Sequence, residues 1–161
     1  MNRAAFLDRD GVLNTLRPGD YVKTPAELEI LPGAPEAVAA LRAAGYLAIL
    51  ISNQQGVSKG VMTQSDLDAI TEKLRAVIPL DDVFYCTHLA SESCPCRKPA
   101  PGMILAAVER HQIDLASSVF FGDSDTDEQA AMAAGVNRFV RVTPDFWMKN
   151  GPLLRAGTIP E

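Results

Sequence analysis

Tyr46-Leu47-Ala48-Ile49-Leu50-Ile51 is an unbroken apolar run that gives way at once to Ser52-Asn53-Gln54-Gln55-Gly56. A strand with one wet face alternates apolar and polar side chains, whereas a strand with no alternation is buried on both faces. This run therefore predicts a parallel sheet covered by helices on either side. The rest of the chain repeats the same sentence: apolar run, polar stop, helix. Arg3 to Asp8 reads as a first strand, Val83 to Cys86 as a third, Val119 to Phe121 as a fourth and Asn137 to Val142 as a fifth. Between them lie helical patterns. Leu31-Pro32-Gly33-Ala34-Pro35 opens one, with Val38, Leu41 and Ala44 on one face and Gly45 at the C-terminal cap position. Thr63-Gln64-Ser65-Asp66 resembles a capping box and starts a second, with Leu67, Ile70, Leu74 and Val77 inward. Pro101 starts a third, with Ile104, Ala107 and Val108 inward, and a fourth closes at Gly135. Residues 14–31, with the turn pair Pro18-Gly19, read as a loop or flap. Beyond Thr143 the pattern fades, and the stretch around Trp147 carries no assignable element. The expectation is an α/β fold of three layers in a single domain over residues 1–161, with its core at about 3–142 and a tail at 143–161.

Composition narrows the function classes. The chain has 161 residues, enough for one domain with a real core, and a formal charge of −5 without a basic tract, which argues against nucleic acid as a main partner. No apolar run reaches about 18 residues, so no transmembrane helix is expected. No signal-peptide pattern precedes the first strand, and three cysteines are an odd number for a disulfide framework. Both features point to a reducing, cytoplasmic setting.

Ligands of parallel sheets bind beyond the carboxyl ends of the strands, and four polar groups fall there. The first strand ends in Asp8-Arg9-Asp10-Gly11. In extended chain, residues two apart share a face, so Asp8 and Asp10 aim into one pocket and Gly11 lets the backbone turn away. Two carboxylates this close call for a divalent cation with oxygen ligands, such as Mg2+. They can also divide attack and proton transfer between them. The second strand ends in Ser52, Asn53, Gln54 and Gln55, a donor-rich loop suited to an oxyanion; the alternative is an ordinary polar turn. The fourth strand ends in Gly122-Asp123-Ser124-Asp125-Thr126-Asp127. After the third strand, Cys86, His88, Cys94 and Cys96 gather every cysteine and one of the two histidines. Three thiolates and an imidazole make a closed, structural Zn2+ site; the alternative is three free thiols and an exposed histidine. Arg97-Lys98 follows at once and could grip a phosphoryl group, or could be a solvated basic pair. His111 reads as a helix-surface residue. Calcium loops fail: one starting at Asp8 needs a polar ligand where Val12 stands, and one starting at Asp123 needs glycine where Glu128 stands and glutamate where Ala134 stands. No Walker lysine loop, dinucleotide fingerprint or nucleophile-elbow serine is present.

Together these residues resemble the haloacid dehalogenase-like phosphatase superfamily over about residues 3–142. Asp8-Arg9-Asp10-Gly11 is similar to its first motif, Ser52-Asn53 to its second, Lys98 to its third and Gly122-Asp123 through Asp127 to its fourth. Within it, Ser52-Asn53-Gln54 and the Cys86-to-Pro99 segment resemble a narrower group that holds heptose bisphosphate phosphatases and histidinol-phosphatases. The resemblance implies a Mg2+-dependent phosphomonoesterase. Asp8 would attack phosphorus, and Asp10 would protonate the leaving group and then activate water. Mg2+ would rest on the Asp8 side chain, the Asp10 backbone carbonyl and Asp123, with Asp127 behind them. Ser52, Asn53 and Lys98 would bind the phosphoryl, Arg97 would reach the substrate, and Gln54, Gln55 and Ser124 would line the pocket. The short links between motifs imply a capless enzyme, with a flap near residues 14–22 carrying Asp20 and Tyr21. The partner expected is a small phosphorylated metabolite, with no nucleic acid and no membrane, and a monomer as the expected state. On the substrate the signals divide. Residues 52–63 look like the heptose enzymes, while the five residues between His88 and Cys94 look like histidinol-phosphatases; a sugar bisphosphate is the leading expectation. A non-catalytic phospho-receiver or scaffold is the alternative of another class.

Overall fold

The computed structural model describes all of residues 1–161. Five strands form one parallel sheet: β1 (Arg3–Leu7), β2 (Tyr46–Asn53), β3 (Asp82–Cys86), β4 (Val119–Gly122) and β5 (Arg138–Arg141), in the order β3-β2-β1-β4-β5. Five helices connect and follow them: α1 (Ala34–Ala43), α2 (Gln64–Val77), α3 (Gly102–His111), α4 (Asp125–Ala134) and α5 (Phe146–Arg155). The α/β expectation therefore holds. The alternation of β1 divides the core in two. Ala5 and Leu7 face a layer built from α1, α2 and α5, whereas Ala4 and Phe6 face α3 and α4. The β2 run does the same, with Ala48 and Leu50 on one side and Ile49 and Ile51 on the other.

Local signals set the helix ends. Thr63 caps α2 by accepting from Asp66 N–H at 3.0 Å, and Asp66 accepts from Thr63 N–H at 2.8 Å, a complete capping box. Gly135, at φ +93°, ends α4 in the left-handed conformation that glycine tolerates. Three details differ from the sequence reading. Val77, expected inward, is 50% exposed because α2 ends there and its last turn leaves the core. His111 is not a free surface residue: its Nε2 lies 2.7 Å from Asp82 Oδ2, tying the end of α3 to β3. Residues 143–161 are no loose tail, since α5 buries Phe146, Trp147 and Leu154 in the larger core. No helix is long and apolar enough to cross a membrane.

The chain steps from β1 outward to β2 and β3, then returns to the other side of β1 with β4. That reversal opens a crevice at the carboxyl ends of β1 and β4. The links after β1 (residues 8–33) and after β2 (residues 54–63) contain only one 3-10 turn, Pro25–Glu27, and no separate cap.

Candidate active site

The crevice holds a cavity of about 300 Å3 lined by Asp8, Asp10, Asn53, Lys98, Asp123, Ser124, Thr126 and Asp127, with Arg17, Asp20, Tyr21 and Val22 of the flap. Lys98 is its buried cation. Its Nζ lies 3.0 Å from Asp8 Oδ1 and 2.5 Å from Asp127 Oδ1, and it donates to Ile51 O at 3.0 Å. Carboxylate oxygens of Asp8, Asp123 and Asp127 fall within 4.8 Å of one another. Burial, then the repulsion of Asp127 and Asp10, pushes the Asp8 carboxyl up to about 8 despite Lys98. Burial and Asp127 push Asp123 up to about 6. Three carboxylates facing one ammonium leave negative charge in surplus.

A divalent cation fits that surplus. The donors are all oxygens, which suits Mg2+. The cradle is also open where it must be: a Cβ built on Gly11 would come within 1.9 Å of Asp123 Oδ2, so only glycine lets this turn approach the carboxylate. Asp127 is the most engaged of the three. It holds Lys98, and its Oδ2 accepts from the N–H groups of Asp123 (3.1 Å) and Ser124 (3.3 Å) at the start of α4. Asp8 and Asp123 have more free acceptor capacity. Ser124 caps α4 by accepting from Asp127 N–H at 3.3 Å.

Asp10 lines the same cavity, and its carboxylate is ringed by donors. Asn14 Nδ2 lies 3.0 Å from Oδ1, Gln54 Nε2 lies 2.8 Å from Oδ2, and Arg9 Nη2 reaches both oxygens at 3.1 and 3.4 Å. Burial alone would raise this carboxyl, yet Arg9, Asn14 and Gln54 together hold it below the usual carboxylate range. Arg9 and Asn14 are roles that sequence reasoning missed. Arg9 is fully buried, with its Nε and Nη1 lacking partners.

Ser52 and Gln54 do not line the cavity. Both are buried behind Asp10, with Gln54 Nε2 donating to Ser52 Oγ at 3.0 Å. Gln55 bridges two loops instead. It donates to Tyr21 Oη at 3.3 Å and accepts from Ala90 N–H at 3.1 Å. Arg97 is half-buried and forms no ion pair. Lys59, another residue missed in the sequence, stands over the Tyr21 ring at 5.5 Å.

Cys86, His88, Cys94 and Cys96 converge as their spacing predicts. The three sulfurs lie 3.0 to 3.5 Å apart, and His88 Nδ1 is 3.4 Å from Cys86 Sγ and 3.1 Å from Cys96 Sγ. A tetrahedral zinc with Zn–S bonds of about 2.3 Å needs edges only slightly wider. Arg97 N–H donates to Cys94 Sγ at 3.3 Å, an outer contact suited to a thiolate. Burial pushes the Cys86 thiol up to about 12, while Cys94 falls to about 6 against its burial, drawn down by Cys96, Arg97 N–H and Cys86. The cluster thus holds one thiolate readily and resists the others without a cation.

Comparison with known proteins agrees with this geometry. Residues 2–135 match the haloacid dehalogenase-like hydrolase family. A D-glycero-beta-D-manno-heptose-1,7-bisphosphate 7-phosphatase of Helicobacter pylori strain J99 is 38% identical over 160 residues, covering 92% of this chain and 91% of its own. A protein of the same name from Pseudomonas putida is 40% identical over 135 residues, covering 81% and 77%. The crystal structure of the D,D-heptose 1,7-bisphosphate phosphatase of Bordetella bronchiseptica, complexed with magnesium and phosphate, superposes with a TM-score of 0.79 at 38% identity, covering 84% of this chain and 78% of that one. The chain belongs to the haloacid dehalogenase-like hydrolase family.

Proposed function

We propose that this hydrolase is a Mg2+-dependent phosphatase that removes one phosphate from a small sugar bisphosphate, of the D-glycero-D-manno-heptose 1,7-bisphosphate type, through an aspartyl-phosphate at Asp8. The observation that carries the reading is the contact of Asp8 with Lys98 on the floor of a cavity at the β1/β4 crevice. Phosphoryl transfer asks for an in-line nucleophile and for neutralised equatorial oxygens. Asp8 offers the carboxylate oxygen, and Lys98 offers a fixed cation beside it.

Asp10 serves as acid in the first half of the reaction and as base in the second, and its surroundings favour the base. Its ring of donors keeps it a carboxylate, so to protonate the leaving alkoxide it must first take up a proton as the substrate's phosphate closes on the site. The same carboxylate then takes a proton from the water that hydrolyses the aspartyl-phosphate. Asp8, the Asp10 carbonyl and Asp123 would hold Mg2+, with Asp127 fixing Lys98 and the start of α4 behind them. When bound, Mg2+ supplies positive charge to the phosphoryl oxygens and favours ionised carboxylates around it. Zn2+ on Cys86, His88, Cys94 and Cys96 would staple the loop that carries Arg97 and Lys98, as a closed structural site.

A bisphosphate is favoured over a monophosphate by the mouth of the cavity. Lys59 and Arg97 flank Tyr21, and neither has a carboxylate partner. Against burial, Lys59, Gln55 and Arg97 draw the Tyr21 phenol below its usual range, a sign of local positive potential. A second phosphate would meet that potential. The relatives that are heptose-1,7-bisphosphate 7-phosphatases support the heptose substrate over histidinol phosphate, against the short loop between His88 and Cys94.

The test is phosphate release with Mg2+ from both anomers of heptose 1,7-bisphosphate, histidinol phosphate, fructose 1,6-bisphosphate and a nucleoside monophosphate. We expect one phosphate per heptose bisphosphate, and no turnover by Asp8→Asn. A preference for histidinol phosphate would overturn the substrate, and no release from any compound would overturn the phosphatase.

A further inference from the structure

α5 lies beyond residue 135, outside the family match, and no motif reaches it. Yet it grips the catalytic turn. Trp147 is 1% exposed, and its indole Nε1–H donates to the backbone carbonyl of Val12 at 2.6 Å, across 135 positions of sequence. Val12 sits in the middle of the turn that carries Asp10. The N–H groups of Val12, Leu13 and Asn14 converge on the carbonyl of Arg9, and Gly11 N–H donates to Asn14 O. That turn presents Gly11 to Asp123 so closely that no Cβ fits between them. The other wall of the cradle is braced from the same helix. Phe121, two residues before Asp123, meets Trp147 at 5.2 Å and Phe146 at 6.2 Å between ring centroids.

We propose that Trp147 is a positioning residue, whose indole N–H holds the Gly11–Val12 turn against Asp123 and thereby sets the width of the acidic cradle. The physical reason is the stringency of the cation. Mg2+ accepts oxygen ligands only near 2.0–2.1 Å in near-octahedral array, so a turn that drifts by a few tenths of an ångström loses affinity before the fold suffers. The aromatic packing alone would keep α5 in place, but it does not fix the turn. The turn's own backbone bonds set its shape, and the indole N–H, aimed at the Val12 carbonyl, ties that shape to α5. The inference rests on the metal-site reading above.

The test compares Mg2+ binding by calorimetry in the wild-type protein and in Trp147→Phe. A second variant carries 3-benzothienylalanine at 147, which keeps the two-ring shape and lacks the N–H. Leu154→Ala serves as a control, since it loosens the same helix at a buried position away from the turn. We expect both Trp147 variants to bind Mg2+ roughly three- to tenfold more weakly, the range for one lost hydrogen bond. Their kcat at saturating Mg2+ should stay within about twofold, a KM-like loss for the ion without loss of chemistry. Leu154→Ala should lower the melting temperature and leave Mg2+ affinity unchanged. Wild-type affinity in the benzothienyl variant would overturn the proposal, whether or not Trp147→Phe folds. So would an equal loss of affinity in Leu154→Ala, which would make the role merely structural. If the wild-type protein itself bound no Mg2+, the metal-site reading would fall first.

Discussion

Asn53 and Lys98 hold each other in both directions: Asn53 Nδ2 donates to Lys98 O at 3.1 Å, and Lys98 N–H donates to Asn53 Oδ1 at 3.0 Å. One residue ends β2 and the other leaves the cysteine loop, so the pair locks two strand-end loops in register. The ammonium of Lys98 is then delivered to Asp8 from a fixed backbone. Asn53→Ala should leave Lys98 in place through Asp127 and Ile51 O but let its backbone shift. We expect a drop in kcat/KM on the order of tenfold to 100-fold, since small misplacements of reacting groups cost that much. Asn53→Asp should be at least as damaging, because it removes the donor and adds an anion where a phosphoryl would sit. Steady-state kinetics on both variants checks this, and activity equal to wild type in Asn53→Ala would dismiss the clamp.

Gly11 offers a sharper probe of the acidic cradle. Its φ of +84° disfavours any side chain, and a methyl group there meets Asp123 Oδ2 at 1.9 Å. Gly11→Ala must therefore displace the turn or the carboxylate. Turnover should fall by about 100-fold or more, with circular dichroism little changed because the sheet is untouched. Near-normal turnover with a normal Mg2+ requirement would show that the cradle is wider in solution.

The cysteine cluster should matter more for substrate binding than for the chemical step. Lys98 has anchors independent of it in Asn53, Ile51 O and Asp127. Arg97 is tied to the cluster directly, through its N–H on Cys94 Sγ, and Ala90 of the same loop meets Gln55 beside Tyr21. Cys94→Ser should lower zinc content and melting temperature, and raise KM more than it lowers kcat. Metal analysis and a kcat-against-KM comparison decide it. Unchanged zinc and unchanged melting would remove the structural metal.

Much of the scaffold was legible in the residues. The apolar run of β2 announced the sheet type, Thr63 and Asp66 the start of α2, and the cysteine spacing the convergence of Cys86, His88, Cys94 and Cys96. What escaped was the fate of groups whose direction depends on where the strand stops. Alternation in extended chain places Arg9 opposite Asp8 and Asp10, but β1 ends at Leu7, and the turn beyond it folds the guanidinium back onto Asp10. Ser52 and Gln54 read as pocket donors; Gln54 instead donates to Asp10 from behind the cavity, and Ser52 Oγ accepts from Gln54. The last helix was hidden by Gly151-Pro152, a pair that argues against helix interior. Burial of Phe146, Trp147 and Leu154 outweighs that local cost.

Proton linkage gives the last prediction. Asp8 is pushed up to about 8 and Asp123 to about 6, in both cases chiefly by burial, against about 3.8 when unfolded. Between pH 4 and 8 these two carboxyls hold protons in the metal-free native state that they have lost in the unfolded chain, so their contribution to stability falls as pH rises. Cys94, drawn down to about 6, opposes them above pH 6. Mg2+ competes for the same oxygens, so its binding releases protons there, and its affinity should climb from pH 5 to about 8 and then level off. Two measurements follow. Melting of the metal-free Cys94→Ser variant, which removes the opposing thiol, should drop from pH 5 to 8, and saturating Mg2+ should flatten or reverse that drop. Calorimetry of Mg2+ binding at pH 7, in buffers of different ionisation enthalpy, should count protons released, most of them from Asp8. An affinity independent of pH across this range would mean that Asp8 and Asp123 are already ionised before the metal arrives, and that Lys98 neutralises the cradle more completely than its distances to Asp8 and Asp127 suggest.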